Sequence, residues 1–198
     1  DLAEILEENG KEFDFAIVAV DIENLFKVSS LLIEKGIKKL LIEKPGGLNS
    51  IEIDALTDIS ERKKADVSIA YNRRFYSSVL RAKEIIKLDG GVTSFSFEFT
   101  EWSHKIESLS TSPKIKENWF LANSSHVVDL AFFLGGSPKE LQSFVAGNNK
   151  LSWHPNASVF SGSGRTYNDA IFSYHADWTG PGRWGVEIIT NNNRLILR

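Results

Sequence analysis

The 198-residue chain contains neither cysteine nor methionine. Without cysteine it cannot form disulfides, thiolate nucleophiles or cysteine-ligated zinc sites. It also lacks an apolar run of the ~18–20 residues needed to cross a bilayer, and its first residues do not resemble a signal peptide. Hydrophobic residues make up 42% and charged residues 25% of the chain, a balance typical of a globular protein. We therefore expect a cytoplasmic protein without a membrane partner.

The chain has little excess charge of either sign. Its 23 basic and 26 acidic residues give a formal net charge of −3, whereas nucleic-acid-binding proteins usually carry a basic patch or stripe. Three of its histidines, His104, His154 and His175, lie far apart without the paired spacing of a metal site. The composition therefore predicts neither a nucleic-acid partner nor a bound metal.

The first part of the chain alternates between strand and helix patterns. The predicted elements, in order, are strand 13–20, helix 24–35, strand 39–43, helix 50–63 with a cap at Asn49 or Ser50, and strand 66–71. Near-continuous apolar runs such as 13–20 are typical of buried parallel strands. The βαβαβ order predicts half of a doubly wound, Rossmann-type parallel sheet, and we assign residues 1–75 to this partial α/β domain.

From residue 76 onward the pattern changes to alternating strands separated by helices. The predicted elements are helix 77–88, strand 92–102, helix 123–134 and strands 141–146, 169–178, 184–190 and 194–197. Strict alternation is typical of an antiparallel strand with one exposed face. Residues 76–198 are therefore predicted to form an α+β domain, a mostly antiparallel open sheet with helices on one face.

Three aromatic residues lie on one face of the predicted strand 92–102, namely Phe95, Phe97 and Phe99. If no helix covers this face, it forms a large apolar patch and predicts sheet-to-sheet dimerisation. If helices cover it, the three rings belong to an ordinary core.

Lys44 follows the second predicted strand directly, in the sequence Glu43-Lys44-Pro45. Ligands of open α/β sheets bind outside the carboxyl ends of the strands, and a lysine held there can stabilise a developing alkoxide. Pro45 favours an extended conformation at Lys44, which narrows the directions available to its amine. The alternative is an ordinary surface lysine at a strand end.

His126 and Asp129 lie three residues apart in the predicted helix 123–134. If Asn123 or Ser124 caps this helix, His126 falls in its first turn and Asp129 comes within reach of the imidazole. A histidine can take up and return a proton near neutral pH. The alternative is a packed histidine, with Asp129 as a solvated helix residue.

Two further segments bear on ligand binding. Asn72 and Arg73 follow the third predicted strand at the same sheet edge as Lys44, where the guanidinium could bind hydroxyls, a carboxylate or a phosphate, or pair with acidic residues at a hinge. The stretch from Gly180 to Gly185 matches G-x-G-x-x-G, but it lies between two alternating strands and does not open a helix. We interpret it as a hairpin loop and not as a cofactor site.

Taken in order, the first strand, the segments LLIEKPGG and YNRRF, and the helix HVVDLAFFLGG resemble the Gfo/Idh/MocA family of NAD(P)-dependent oxidoreductases. The resemblance implies a dinucleotide-binding domain followed by a substrate-binding and dimerisation domain. It implies that Lys44 and His126 are catalytic and flank the carbon that exchanges hydride with the nicotinamide, and that Arg73 contacts the substrate. The positions that it implies against bound NAD or NADP are Ala19, Val20, Asp21, Glu43, Lys44, Pro45 and Asn72.

Two positions depart from the family pattern. The family often has an aspartate four residues before the catalytic histidine, where this chain has Ala122 beside Asn123. A histidine usually found after the first strand is replaced by Leu25. The Gly-rich phosphate loop of the family would precede the first residue, so we expect the chain to be a fragment.

The function implied by the resemblance is NAD(P)-dependent oxidation or reduction at a hydroxyl of a sugar, polyol or nucleotide sugar. Further substrate contacts would come from Asn123, Asp129 and Trp119, although Trp119 could instead form a core aromatic pair with Phe120. The alternative, which Ala122 permits, is a cofactor-binding regulator or scaffold without turnover. In either case we expect a homodimer or homotetramer assembled through the C-terminal sheet.

Overall fold

The computed structural model describes residues 2–9 and 13–198 of the chain. The helices are α1 (Leu2–Asn9), α2 (Ile22–Glu34), α3 (Ser50–Lys63), α4 (Ser77–Leu88), α5 (Ser103–Glu107), α6 (Pro113–Glu117) and α7 (Ser125–Gly135). A 3₁₀ turn (Asn72–Phe75) precedes α4, and a π-helical turn (Phe120–Ser124) precedes α7. The strands are β1 (Ala16–Val18), β2 (Lys39–Glu43), β3 (Asp66–Ala70), β4 (Ser94–Thr100), β5 (Pro138–Ala146), β6 (Val159–Thr166), β7 (Ile171–Asp177), β8 (Arg183–Ile189) and β9 (Arg194–Leu197).

These elements form two compact units. The first runs to Tyr71 and also includes Phe120–Ala122, and the second comprises Asn72–Trp119 and Asn123–Arg198. The predicted domain boundary between residues 75 and 76 stays a prediction.

The first unit contains a parallel three-stranded sheet in the order β1-β2-β3. Its helix α3 begins after Asn49, one of the two predicted caps, whose side chain accepts a hydrogen bond from the Glu52 backbone N–H at 3.0 Å. Apolar side chains of α2, α3 and the sheet form the core: Leu25, Ile33, Leu56, Val18, Leu40 and Ile42. The βαβαβ arrangement predicted from the sequence is therefore confirmed.

Strand β1 is shorter and less buried than predicted. Only Ala16–Val18 of the apolar run 13–20 forms a strand. Val18 is buried, but Phe15 and Ile17 leave 60% and 65% of their surfaces exposed. The apolar run thus indicates a parallel strand correctly, whereas burial on both faces was the wrong expectation for the described part of the chain.

The second unit contains a six-stranded sheet in the order β5-β6-β7-β4-β8-β9. All neighbouring strands are antiparallel except β4 and β7, which run parallel. Because β4 lies between β7 and β8, the loop that contains Gly180 and Gly182 is not a hairpin as predicted; it crosses from one side of β4 to the other. It leads into a strand and not into a helix, so it also lacks the geometry of a phosphate-binding loop.

The aromatic face of β4 is covered by α7. Phe95, Phe97 and Phe99 are buried, and Phe132 of α7 packs edge-to-face on Phe95 at 5.8 Å and on Phe97 at 5.6 Å between ring centroids. The three rings are therefore core residues. The apolar patch that was the condition for dimerisation through this face is not exposed.

Gly135, in the predicted Leu-Gly-Gly end of α7, allows the helix to approach β4. A Cβ at Gly135 would lie 2.3 Å from Phe95 Cε1, and the Phe95 ring is held in place by Phe132 and Phe172. We expect Gly135→Ala to lower the free energy of unfolding by about 1–3 kcal/mol through overpacking. The matched control is Gly185→Ala, whose Cβ would meet no atom closer than 3.6 Å. Urea titrations of both variants check this, and equal stabilities would contradict it.

Asp89, just after α4, is held by the turn between β8 and β9. Its carboxylate accepts hydrogen bonds from Thr190 Oγ1 at 2.5 Å and Asn193 Nδ2 at 2.8 Å. Hydrogen bonds from Asn193, Thr190 and Asn192 lower the pKa of Asp89 below its ordinary value of 3.8.

The lowered pKa predicts an acid-dependent contribution of Asp89 to stability. The contribution is present above the unfolded-state pKa and is lost as the pH falls through the lower folded-state pKa. We therefore expect Asp89→Ala to lower the melting temperature at pH 7, with the difference shrinking below about pH 3.8. Exposed Asp58 on α3 provides the control substitution, and melting curves across pH give the comparison. A difference between Asp89→Ala and wild type that is the same at every pH would be the contrary result.

Candidate active site

In the first unit, Lys44 lies at the carboxyl edge of the parallel sheet. Val18 pairs with Ile42, and Ile42 pairs with Ile69, so the three strands end at the same edge. Lys44 is half-buried there, and its Nζ donates a hydrogen bond to the Ala122 carbonyl oxygen at 2.7 Å. This long-range contact fixes the position of the ammonium group. An exposed lysine at a strand end would lack such a contact.

The other predicted cofactor contacts of the first unit lie at this same edge. Ala19, Val20 and Asp21 follow β1, Glu43 ends β2, and all four are exposed. Pro45 is buried, and its peptide bond with Lys44 is cis. These exposed residues at the carboxyl edge of the sheet are accessible to a ligand. Asn72, also exposed, belongs to the second unit.

His126 lies in α7 of the second unit and is half-buried. The predicted caps are wrong, because Ser124 has helical backbone angles and makes no capping hydrogen bond. The π-helical turn Phe120–Ser124 runs directly into α7, so the helical segment starts earlier than predicted. Asn123 therefore lies within the segment, and its side chain bonds elsewhere.

Asp129 has a different partner from the one predicted. Its two carboxylate oxygens accept hydrogen bonds from Arg74, Nε to Oδ2 at 2.9 Å and a terminal nitrogen to Oδ1. This bidentate ion pair joins α7 to the 3₁₀ turn Asn72–Phe75. It gives each carboxylate oxygen a hydrogen bond that does not come from His126. A role for Asp129 in orienting the imidazole or binding substrate stays a prediction.

Two of the predicted substrate contacts pack against aromatic rings. The Arg73 guanidinium lies over the Trp184 ring, 4.9 Å from its centroid. Trp119 exposes only 8% of its surface and packs edge-to-face on Trp153 at 6.2 Å between ring centroids. Trp119 therefore packs among core aromatic side chains, and a contact between its ring and a sugar stays a prediction.

The sequence interpretation missed Glu101, which follows β4 directly. Asn123 Nδ2 donates a hydrogen bond to Glu101 Oε1 at 2.7 Å. Burial raises the pKa of Glu101 above its ordinary value of 4.5, although Asn123 and the indoles of Trp119 and Trp184 favour the charged form. Its position directly after a strictly alternating strand is the one sequence signal that could have marked it.

Residues 2–9 and 13–198 contain neither a metal-binding cluster nor a membrane-spanning helix. No group of three or more histidine or acidic side chains is placed to hold a metal ion there. No helix in the same ranges is long and apolar enough to cross a membrane.

Comparison with known proteins gives structural relatives only. No protein-family model and no curated protein matches the chain. An NAD-binding oxidoreductase from Klebsiella pneumoniae is 18% identical with a TM-score of 0.78, covering 100% of this chain and 56% of that one. Levoglucosan dehydrogenase, in complex with NADH and levoglucosan, is 19% identical with a TM-score of 0.78 and the same coverage of 100% and 56%.

A third structure, the WlbA dehydrogenase from Bordetella pertussis in complex with NADH and UDP-GlcNAcA, is 14% identical with a TM-score of 0.77, covering 99% of this chain and 60% of that one. The chain thus spans between 56% and 60% of the length of these three proteins. At such identities the likeness establishes the fold. It confirms the predicted fold class, a partial Rossmann-type sheet followed by a mostly antiparallel sheet with helices.

Proposed function

We propose that this chain is part of an NAD(P)-dependent oxidoreductase that acts on a hydroxyl of a sugar, polyol or nucleotide sugar. The observation that carries the proposal is the contact between the Lys44 ammonium and the Ala122 carbonyl at 2.7 Å. It fixes the Lys44 ammonium at the carboxyl edge of a parallel sheet, where ligands of such sheets bind. The fold shared with dehydrogenases solved with NADH and sugar ligands supports the same function.

The cofactor would be held by the exposed edge of the first unit, and Asn72 is a further proposed cofactor contact. Ala19, Val20 and Asp21 would lie against the nicotinamide half, together with Glu43, Lys44 and Pro45. When bound, the nicotinamide supplies the acceptor for the hydride that leaves the substrate carbon.

The protein's own groups would handle the proton and the charge on the substrate oxygen. In the oxidative direction His126 takes the hydroxyl proton as the carbon–oxygen bond becomes a carbonyl and the carbon loses hydride. Lys44 stabilises the negative charge that develops on that oxygen. Arg73 and Asn123 would contact other hydroxyls of the substrate. In the reductive direction His126 returns the proton.

The direct test uses the full-length protein with NAD or NADP and a panel of free sugars, inositol and nucleotide sugars. We expect at least one compound to produce reduced nicotinamide, seen by its absorbance, together with the matching carbonyl product. Binding of cofactor without turnover of any compound would contradict the proposal.

We also propose that the protein is a cytoplasmic homodimer or homotetramer assembled through the second-unit sheet. The edge strand β5 supports an interface, because its Leu141, Phe144 and Val145 are exposed by 54%, 73% and 66%. Exposed apolar side chains on an edge strand are a ready pairing surface. A monomer in sizing and light-scattering measurements would refute this assembly.

A further inference from the structure

Glu101 is a half-buried carboxyl that the proposed chemistry leaves unused. It follows β4, and its backbone N–H donates to the Asp177 carbonyl at 3.0 Å, so the sheet fixes the point from which the side chain projects. None of the ion pairs formed within residues 2–9 and 13–198 includes Glu101. Its carboxylate accepts a hydrogen bond from the Asn123 amide at 2.7 Å.

The surroundings of Glu101 disfavour its charge. Burial raises the pKa of its carboxyl above the ordinary value. The Trp119 Nε1 is buried and makes no hydrogen bond of normal geometry, although the indoles of Trp119 and Trp184 both favour the charged form. A partly buried carboxyl whose pKa is raised by burial is a frequent mark of a functional site.

Glu101 is also hydrogen-bonded to the helical segment that carries His126, through Asn123. The six residues from Phe120 to Ser125 contain no acidic side chain, and Asp129 is taken by Arg74. Asn123, which holds Glu101, lies three residues before His126, about one helical turn away. The Glu101–Asn123 pair thus lies next to the start of α7.

We propose that the Glu101 carboxylate, held by Asn123, accepts a hydrogen bond from a substrate hydroxyl other than the one that reacts, and so determines specificity for polyhydroxylated substrates. This inference rests on the proposed function and assigns one binding contact within it. A carboxylate has several acceptor positions, of which Asn123 uses one, while the amide both donates and accepts. Such a pair suits a hydroxyl, which also donates and accepts.

The half-buried Trp184 indole adds a surface of the right kind. It favours the charge on Glu101 and carries the Arg73 guanidinium over its ring. An aromatic face beside a carboxylate and an amide combines apolar contact with hydroxyl recognition, the usual composition of a small-molecule site with a few placed polar groups.

The experiment uses the full-length protein, NAD or NADP, the compound that it turns over and the monodeoxy analogues of that compound. We expect Glu101→Gln to lower kcat/KM by about 10-fold to 100-fold, mostly through KM, because a charge-assisted hydrogen bond is lost. With one analogue, the kcat/KM of the wild type should fall by the same factor, whereas the kcat/KM of Glu101→Gln should fall no further. The control is Glu98→Gln, since Glu98 lies on the same strand but pairs with Arg183.

A stability measurement separates this role from a structural one. Because burial disfavours the charge, we expect Glu101→Gln to melt at the same temperature as the wild type or higher at pH 7. If Glu101 had a structural role, Glu101→Gln would lower the melting temperature. If Glu101→Gln does not fold, Glu101→Asp takes its place, because it keeps the charge on a shorter side chain. Its kcat/KM should fall through loss of the contact with the same single hydroxyl.

The outcomes are distinguishable. Absence of turnover by the wild type with every compound overturns the proposed function and this inference together. Turnover by the wild type with an unchanged kcat/KM in Glu101→Gln overturns this inference alone. An equal fall in kcat/KM for wild type and variant with every deoxy analogue also overturns this inference alone.

Discussion

Replacement of His126 by asparagine is expected to lower kcat by about 100-fold to 10,000-fold, the range usual for loss of a general base. Asparagine keeps a polar side chain of similar reach but cannot carry the proton away from the substrate hydroxyl. His126 is half-buried in α7, so the variant should fold. The measurement is steady-state turnover with the identified substrate, with circular dichroism to check folding.

The matched control for His126 is His175, which is exposed on β7 of the same unit. His175→Asn should keep kcat within about twofold, as is usual for a surface substitution away from a site. A His126→Asn enzyme with nearly normal kcat would show that another group accepts the proton.

The second large effect is expected at Lys44. Lys44→Met keeps the length and apolar stem of the side chain but removes the ammonium group that we propose stabilises the developing oxyanion. Loss of one such stabilising group typically costs about 100-fold to 1,000-fold in kcat. The variant also loses the hydrogen bond to the Ala122 carbonyl, so its melting temperature should be recorded beside its turnover.

A control substitution on β2 tests whether the effect on kcat belongs to Lys44 in particular. Lys39 begins β2 at the end opposite Lys44 and is exposed, so Lys39→Met should leave kcat unchanged. Binding of reduced cofactor, followed by its fluorescence, should persist in Lys44→Met if the lysine acts on the substrate oxygen. If Lys44→Met binds the cofactor more weakly but keeps its kcat at saturating cofactor, then Lys44 acts in cofactor binding instead.

Regular elements could be predicted from the sequence because local signals decide them. The bounds of β2, α4 and β9 agree with the predicted 39–43, 77–88 and 194–197. Proline or glycine lies two residues after β2 and α4, and Asn193 directly precedes β9. Strand β6 was missed, because its Ser-Gly-Ser-Gly stretch lacks apolar alternation. Its place in the sheet depends on pairing with β5 and β7.

The candidate site was predictable only where a motif lies next to a strand or within a helix. Lys44 and His126 could be singled out in this way. The partners of Asp129 and Asn123 could not, because Arg74 is 55 residues away and Glu101 is 22 residues away in sequence. Tertiary contacts at such separations leave no trace in local periodicity, and so Asp129 was assigned to His126 and Glu101 was missed.

The most direct test of the account follows the substrate's hydrogen. A polyol substrate deuterated at the reacting carbon is incubated with the full-length protein and NAD or NADP, and the cofactor is examined by mass spectrometry. The account predicts deuterium on the nicotinamide with the wild type and almost none with the Lys44→Met/His126→Asn double variant. A carbonyl product without deuterium in the cofactor, or equal labelling by the double variant, would contradict it.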